Sequence, residues 1–375
     1  MKFRVERDVL AEAVTWTART LPVRPPVPVL SGVRITAVAD GTLTLSTFDY
    51  DVSARSQVAA DVEEPGEVLV SGRLLADISR ALPARPIEMT IEGTKVQVTC
   101  GSSRFTLATM PVDEYPTLPD MPAHAGSIPV DAFSRAVAQV SIAAGRDETL
   151  PLLTGVKLEI RGDKLTFMAT DRYRLALREI SWAPVNPQIE REALVRARTL
   201  TDVAKSLTSA GNVELSLSEG SDIIGFEAGG RHSTSVLVDG DYPPVRRLFP
   251  DQTSIHTVTN TAALIEAAKR VALVAERNTP IRLTFSEGQV VLEAGQGDDA
   301  QASEALESTL VGEEISTAFN PTYLLEGLAA LGTDFVRLSF TQASKPVVMT
   351  GQDSLDSEDH FDEFRYLLMP IRFAS

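Results

Sequence analysis

The chain carries four histidines (His124, His232, His256 and His360) and one cysteine, Cys100. Imidazole and thiolate are the usual bases, nucleophiles and zinc ligands near neutral pH, so their spacing decides which chemistry is open. None of the histidines stands in a metal-ligand spacing or beside a recognisable nucleophile. Cys100 alternates in register with Val96 and Val98, which reads as a small buried hydrophobe, and a single cysteine excludes an internal disulfide framework. Gly295-Gln296-Gly297 opens like a dinucleotide loop, but no third glycine follows and the next residues are Asp298-Asp299, so it reads as a loose hairpin. Asp353, Asp356, Glu358, Asp359, His360, Asp362 and Glu363 could together chelate a hard cation and support a metal-assisted hydrolase. They lack the fixed spacing and turn glycine of a calcium loop and read as a solvated loop. No Walker lysine motif occurs. The residue types therefore predict no active site, no metal and no cofactor, and the chain reads as a binding protein.

The formal net charge of −16 argues against a nucleic acid held tightly by phosphate neutralisation. The distribution is less simple than the sum. The helical stretches hold Arg7, Arg19, Arg73, Arg80, Arg135, Arg196, Arg198, Lys205, Lys269 and Arg270, while acids concentrate at 61–67, 298–314 and 353–363. Two readings stay open: ordinary solvated helix flanks, or one basic face that meets DNA on an otherwise repelling molecule. The first residues, with Lys2, Arg4, Glu6, Arg7 and Asp8, lack the apolar core of a signal peptide. No apolar run approaches the roughly twenty residues of a membrane span, so a soluble, cytoplasmic protein without a membrane partner is expected.

The elements that must position these residues recur three times. Helical stripes start near Asp8 (Leu10, Ala13, Val14, Thr17, Ala18, Leu21), at Asp131 (Phe133, Ala136, Val137, Val140, Ala144) and near Thr261 (Leu264, Ala267, Ala268, Val271, Val274). Each follows the i, i+3, i+4, i+7 pattern of a helix with one buried side. A turn follows each stripe, at Asp40-Gly41, Gly162-Asp163 and Glu287-Gly288, flanked by alternating runs that predict β-hairpins. Second helices are predicted over 74–82, 200–207 and 323–331, the last opened by the Asn320-Pro321 cap. Strands follow at 96–98, 213–215 and 336–338. Even Thr47-Phe48-Asp49-Tyr50-Asp51 matches Thr170-Asp171-Arg172-Tyr173-Arg174. A repeat of about 125 residues has the length of a domain, not of a solenoid unit. Three tandem α+β domains are therefore expected, over 1–122, 123–250 and 251–375, joined by short proline-rich segments that hold them in a fixed line.

On these elements the chain resembles the bacterial DNA sliding clamps, the beta subunits of DNA polymerase III. The resemblance runs end to end. It rests on Met1-Lys2-Phe3 to Arg7; Arg24-Pro25 with Pro28-Val29-Leu30; Ala169-Thr170-Asp171-Arg172-Tyr173-Arg174-Leu175-Ala176; Leu237-Val238-Asp239-Gly240 with Tyr242-Pro243 and Arg246-Arg247; Phe319-Asn320 with Tyr323; and Tyr366-Leu367-Leu368-Met369-Pro370-Ile371-Arg372. Arg172-Tyr173 and the short Ala374-Ser375 extension are similar to actinobacterial members. The resemblance implies a non-catalytic processivity factor that forms a head-to-tail homodimer, a six-domain ring with helices inside and sheets outside. Helices about 10 Å thick and packed about 9–10 Å apart enclose about 8 Å with six in a ring, about 25–28 Å with twelve and above about 40 Å with eighteen. A duplex with grooves about 8 Å deep is roughly 20 Å across, so only the dimer surrounds double-stranded DNA loosely enough to slide.

The resemblance also implies sites. A peptide pocket would be lined by Leu153, Thr170, Arg172, Tyr173, Arg174, Leu175, Pro243, Arg247, Leu248, Asn320, Tyr323, Pro346, Leu367, Met369, Pro370, Ile371 and Arg372. Pro370 is expected within a C-terminal edge strand. DNA polymerase III catalytic subunit, clamp loader, other polymerases and repair proteins would dock there through short linear motifs. Arg24, Arg73, Arg146, Arg196 and Arg198 would face DNA, and Pro151-Leu152 stands where some relatives carry aromatics. At the dimer seam, Arg104, Phe105 and Leu107 of one chain would meet Leu273, Val274, Glu304 and Glu307 of the other, with Arg73 as a further partner for the acids. Without the resemblance, Phe105 and Leu107 read as ordinary core. A duplicated second clamp, for example one resistant to a pocket-binding inhibitor, is the nearest alternative function.

Overall fold

The computed structural model describes residues 1–206, 211–275, 279–295, 300–357 and 359–371. Its helices are α1 (Arg7–Thr17), α2 (Gly72–Ala81), α3 (Val130–Ser141), α4 (Ala197–Ser206), α5 (Thr261–Ala272) and α6 (Pro321–Leu331). They come two to each repeat along the sequence, and α1 packs on α2 and α5 on α6. The first stripe is shorter than expected: α1 stops at Thr17 and the chain tightens into a 3-10 turn over Ala18–Thr20. Thr17 explains the break, because its hydroxyl donates to the carbonyls of Ala13 and Val14 and its own carbonyl accepts from Thr47. Asn260 and Asn320 cap α5 and α6 by accepting from backbone amides of the first turn.

The three hairpins stand where alternation placed them. Gly32–Ala37 pairs with Thr42–Phe48, Gly155–Arg161 with Lys164–Thr170, and Ile281–Ser286 with Gln289–Ala294. Gly41 and Gly288 take left-handed φ values of 88° and 79°, which a side chain would resist. In each hairpin the inward positions are apolar. In the first, Val33, Ile35, Leu43 and Leu45 join Leu10, Val14, Leu75, Val96, Val98 and Cys100 in one core. Burying each such aliphatic side chain stabilises by about 1.5–3 kcal/mol. Cys100 is the small buried hydrophobe expected, with its thiol on the carbonyls of Pro83 and Arg85.

Strand pairing does not stop at the repeat boundaries. The chain forms two compact units: one of Met1–Phe133, Trp182–Pro187 and Asp202–Leu237, the other of Ser134–Ser181, Gln188–Thr201 and Val238–Ser375. In the first, Arg231–Val236 pairs antiparallel with Val52–Ala59, giving one continuous 14-stranded sheet. In the second, Arg174–Ser181 pairs with Phe361–Leu368 within a 12-stranded sheet. Each half of the middle repeat thus satisfies an open edge of a neighbour, which removes exposed backbone donors and acceptors. No helix among the described residues is long and apolar enough to cross a membrane.

Candidate peptide pocket and nucleic-acid face

The pocket grows from one turn in the second unit. Lys164–Thr170 and Arg174–Ser181 are joined through Asp171-Arg172-Tyr173, and Arg172 sits at φ 80°. A left-handed non-glycine residue costs roughly 1–3 kcal/mol, so the surroundings must hold it. Asp171 Oδ1 accepts from the amides of Tyr173 (3.0 Å) and Arg174 (3.1 Å). Thr170 Oγ1 accepts from the Arg172 amide and donates to the Arg174 carbonyl. The first unit repeats the device: Tyr50 has φ 75°, and Asp49 Oδ1 accepts from the amides of Asp51 and Val52.

Arg174 locks the turn from behind. It is 4% exposed, donates to Asp171 Oδ2 at 2.9 Å and to Glu326, and lies 4.2 Å over the Tyr323 ring. Burial alone would lower its pKa, but the Glu326 hydrogen bond, Tyr366 and Asp171 outweigh it and hold the guanidinium above its ordinary value. Tyr366, fully buried, donates to the Tyr323 carbonyl, and burial pushes its phenol well up. Tyr323 in turn stacks on Tyr173 at 6.3 Å. Arg174, expected to line the pocket, therefore has its guanidinium committed inside the fold. The hydroxyl of Thr170 and the Asn320 Oδ1 cap are likewise committed locally.

The candidate floor beneath these residues is a row set by strand register. Val348 opposes Leu367, and Leu367 opposes Leu175, so three strands offer three aliphatic side chains in line. Beside them Met168 opposes Leu177. Val245, Phe249 and the half-buried Tyr242 close the cluster. Met168, Leu177, Tyr242, Val245, Phe249 and Val348 escaped the sequence reading. Leu177 was detectable by its period-2 offset from Leu175, whereas Val348 needed the register itself. Of the expected pocket residues, Pro243, Arg247, Leu248, Met369 and Tyr173 are exposed, Leu248 at 52% and Tyr173 at 56%. Leu153, Pro346, Pro370 and Ile371 are half-buried around it, and Arg372 lies outside the described residues. The 3-10 turn Val245–Leu248 is pinned by Arg246, which donates to Glu159 at 3.0 Å, leaving the neighbouring Arg247 exposed.

Pro370 differs from expectation. The last strand, Phe361–Leu368, ends before it and is an interior strand between Arg174–Ser181 and Val347–Gln352. Lacking an N–H, the proline ends the ladder, and the chain is held again at Ile371, whose amide donates to Ala318.

Comparison with known proteins decides the family. The DNA polymerase III beta subunit models match in order: the N-terminal domain over residues 1–119, the central domain over 127–244 and the C-terminal domain over 246–372. The chain belongs to the DNA polymerase III beta subunit family. It is 55% identical to the beta sliding clamp of Streptomyces coelicolor, covering 100% of both chains, and 59% identical to that of Micrococcus luteus over 83% of this chain and 100% of the relative. Identity to the beta sliding clamp homolog GriR of Streptomyces muensis is 46%, with both chains covered in full. The Bacillus subtilis sliding clamp crystal structure aligns with a TM-score of 0.92 at 27% identity, over 100% of this chain and 99% of that one. The Pseudomonas aeruginosa clamp bound to griselimycin aligns equally well, with a TM-score of 0.92 at 29% identity over 100% of both. The protein is a sliding clamp of actinobacterial type, a non-catalytic processivity factor of DNA polymerase. Its histidines sit accordingly: His124 and His232 pair with Glu214 and Glu227, and His360 with Asp362.

The residues expected to face DNA are all exposed. Arg73 lies in the first turn of α2, and Arg196 and Arg198 bracket the start of α4. Cations at a helix N-terminus oppose the macrodipole, so local stability does not explain them. Arg73 donates to the Pro22 carbonyl at 3.2 Å, which steadies the loop carrying Arg24. Arg146 pairs with Glu326 at 4.0 Å and is 89% exposed.

Of the expected seam residues, Leu107 is 3% exposed and lies in the first core opposite Val96, the ordinary-core alternative. Arg104 and Phe105 are exposed on strand Ser103–Met110. Over Ser103–Ala108 that strand pairs only with Lys95–Cys100, and only Thr109 and Met110 pair on the other side. Ala302–Val311 shows the same asymmetry: 302–307 pairs with Gln289–Ala294 and 308–311 with Ile255–Asn260. Each strand so leaves one edge open among the described residues. Glu307 is exposed on the second edge, whereas Glu304 is already held by Arg270 through two hydrogen bonds, one of 3.0 Å. Leu273 is 83% exposed and Val274 half-buried.

Proposed function

We propose that two copies close head to tail into a six-domain ring around duplex DNA, with Ser103–Met110 of one pairing against Ala302–Val311 of the other. The two open edges, basic at Arg104 and acidic at Glu307, are the observation that carries this reading. An exposed edge with alternating apolar residues is an aggregation hazard unless a partner covers it. Phe105 and Leu273 supply the apolar part of the seam, and Val274 borders it. Arg24, Arg73, Arg146, Arg196 and Arg198 face the duplex and give weak, sequence-blind attraction. Topology, not affinity, retains the DNA.

The pocket between the Asp171 turn, the Val245–Leu248 turn and Met369 takes short linear motifs of the polymerase III catalytic subunit, the clamp loader, other polymerases and repair proteins. An aliphatic floor with an exposed methionine on the rim suits several related sequences. Arg172 and Arg247, both exposed, are placed to meet a peptide's polar groups. The higher identity to the Streptomyces and Micrococcus clamps than to GriR supports the replicative copy over an accessory one, acting in the cytoplasm. Sedimentation equilibrium tests the ring: the wild type is expected to be a dimer and Phe105→Glu a folded monomer. A monomeric wild type at micromolar concentration overturns the proposal.

A further inference from the structure

Glu159 is an almost fully buried carboxylate outside the residues expected to line the pocket. It stands on strand Gly155–Arg161, directly opposite Glu192 on Glu190–Arg196. Like charges across a strand pair repel, and a carboxylate out of water needs a cation on it. Two cations meet it, one on each oxygen. Lys157, two residues back on the same strand face, lies 3.2 Å from Oε1 and reaches Glu192 at 3.0 Å. Arg246 donates to Oε2 at 3.0 Å. Lys157 already bridges the two acids, so Arg246 is not needed to relieve their repulsion. What it adds is a tether from the sheet to the turn Val245–Leu248.

The internal repeat supplies a comparison. Gly32–Ala37 is the counterpart of Gly155–Arg161: each strand follows a 3-10 turn and opens on glycine. Arg34 opposes Ser46 and Lys157 opposes Met168, so Lys157 stands at the place of Arg34 and Glu159 at that of Thr36. A cation occurs at both places, the carboxylate only at the second. The linkers differ in the same sense. Tyr115-Pro116 and Tyr242-Pro243 match, yet the first runs to strand His124–Pro129 without a helical turn, whereas the second leads into Val245–Leu248. Carboxylate and turn come together. The ends of the turn are anchored by apolar burial, with Val245 and Phe249 in the cluster of Leu175 and Leu367 and Arg365 4.8 Å over the Phe249 ring. Between those ends Arg246, Arg247 and Leu248 form an exposed crest, which Arg246 ties down to Glu159.

We infer that Glu159 is a positioning residue of the peptide pocket. Charge-balanced by Lys157, it holds Arg246 and so fixes the crest that presents Leu248 to an apolar side chain, and Arg247 to a polar group, of the bound motif. The inference rests on the pocket reading and adds to it a residue that touches no peptide atom. The tether acts by preorganisation: side chains fixed beforehand do not have to be ordered on binding. With its carboxylate out of water, the pair is also screened less than one on the open surface.

The test uses the full dimer and a fluorescein-labelled peptide carrying the clamp-binding motif of the polymerase III catalytic subunit, read by anisotropy, with urea denaturation alongside. Arg246→Ala cuts the tether and leaves Glu159 with Lys157, so the fold should hold while affinity falls by about two- to tenfold, the cost of ordering one or two side chains. Glu159→Gln should weaken binding in the same direction, and the two together no further than Arg246→Ala alone. In a protein already carrying Arg247→Ala and Leu248→Ala, Arg246→Ala should change affinity by less than about twofold, because the tether acts through those side chains. Unchanged affinity in Arg246→Ala overturns the inference, as do additive losses from Arg246→Ala and Glu159→Gln. So does an equal loss in the background lacking the two crest side chains, which means that Arg246 meets the peptide itself or that the turn has unfolded. If the wild type does not bind the peptide, or binds it no better than Arg247→Ala with Leu248→Ala, the pocket reading itself fails.

Discussion

Replacing Arg174 with methionine should separate the architecture of the pocket from its surface. The guanidinium is 4% exposed and bonds Asp171, 12% exposed, and Glu326, 31% exposed. Methionine fills similar volume but leaves Asp171 without the Arg174 cation and Glu326 with Arg146 at 4.0 Å. Breaking a buried pair in this way costs about 3–5 kcal/mol, and the partial exposure of Glu326 puts the expected loss near the lower end, about 3 kcal/mol. With a urea dependence of about 3 kcal/mol per molar for a unit this large, the unfolding midpoint should fall by about 1 M. The Asp171 turn also loses the group that holds it, so a labelled clamp-binding peptide should bind at least about tenfold more weakly, or about 1.4 kcal/mol. Adding Glu326→Gln removes one stranded charge and should recover about 1 kcal/mol of the stability. Both readouts are accessible by fluorescence-monitored denaturation and peptide anisotropy. If Arg174→Met unfolds within 0.5 kcal/mol of the wild type, on the order of an ordinary surface substitution, Arg174 is not the lock described here.

Other outcomes follow from the same contacts. Gly327→Ala would place a Cβ 2.4 Å from Tyr366 Cε1, inside a fully buried ring, and should destabilise the second unit by about 1–3 kcal/mol in the same denaturation assay. Deleting residues 368–375 should abolish peptide binding and leave the sedimentation dimer intact; loss of the dimer would mean the pocket and seam are misassigned. His256 has its pKa lowered by burial, Arg337 and His360, so the folded state disfavours its cation. The stability it contributes should be present above the unfolded histidine value, near about 6.5, and be lost as pH falls. His256→Asn should flatten the thermal-stability profile between about pH 5 and 7; an unchanged profile refutes that assignment.

Periodicity made the repeats legible. Stripes at helical spacing, glycine turns and alternating runs are local, so Leu10 to Thr17, Gly41 and the Asn320 cap were readable one segment at a time. The Asp49 and Asp171 turns were visible as a matching pair before either had a conformation. What the sequence hides is long-range pairing. Nothing local says that Arg231–Val236 adds to the first sheet, or that Val348, Leu367 and Leu175 stand in one row. For the same reason nothing local ties Arg174 to Glu326, 152 positions away. Phe105 and Leu107 share one strand face, so alternation cannot tell that Leu107 is buried in the first core while Phe105 stays exposed. Glu159 carried no signal at all, being one glutamate in an ordinary strand.

The account stands or falls on enclosure. The dimer, loaded by a clamp loader onto a nicked circular plasmid and freed of unbound protein, should stay with the DNA through gel filtration at elevated salt. Cutting the plasmid once with a restriction enzyme should then release it. Equal retention on circle and line, or no retention on the circle, would contradict a ring that holds DNA by topology.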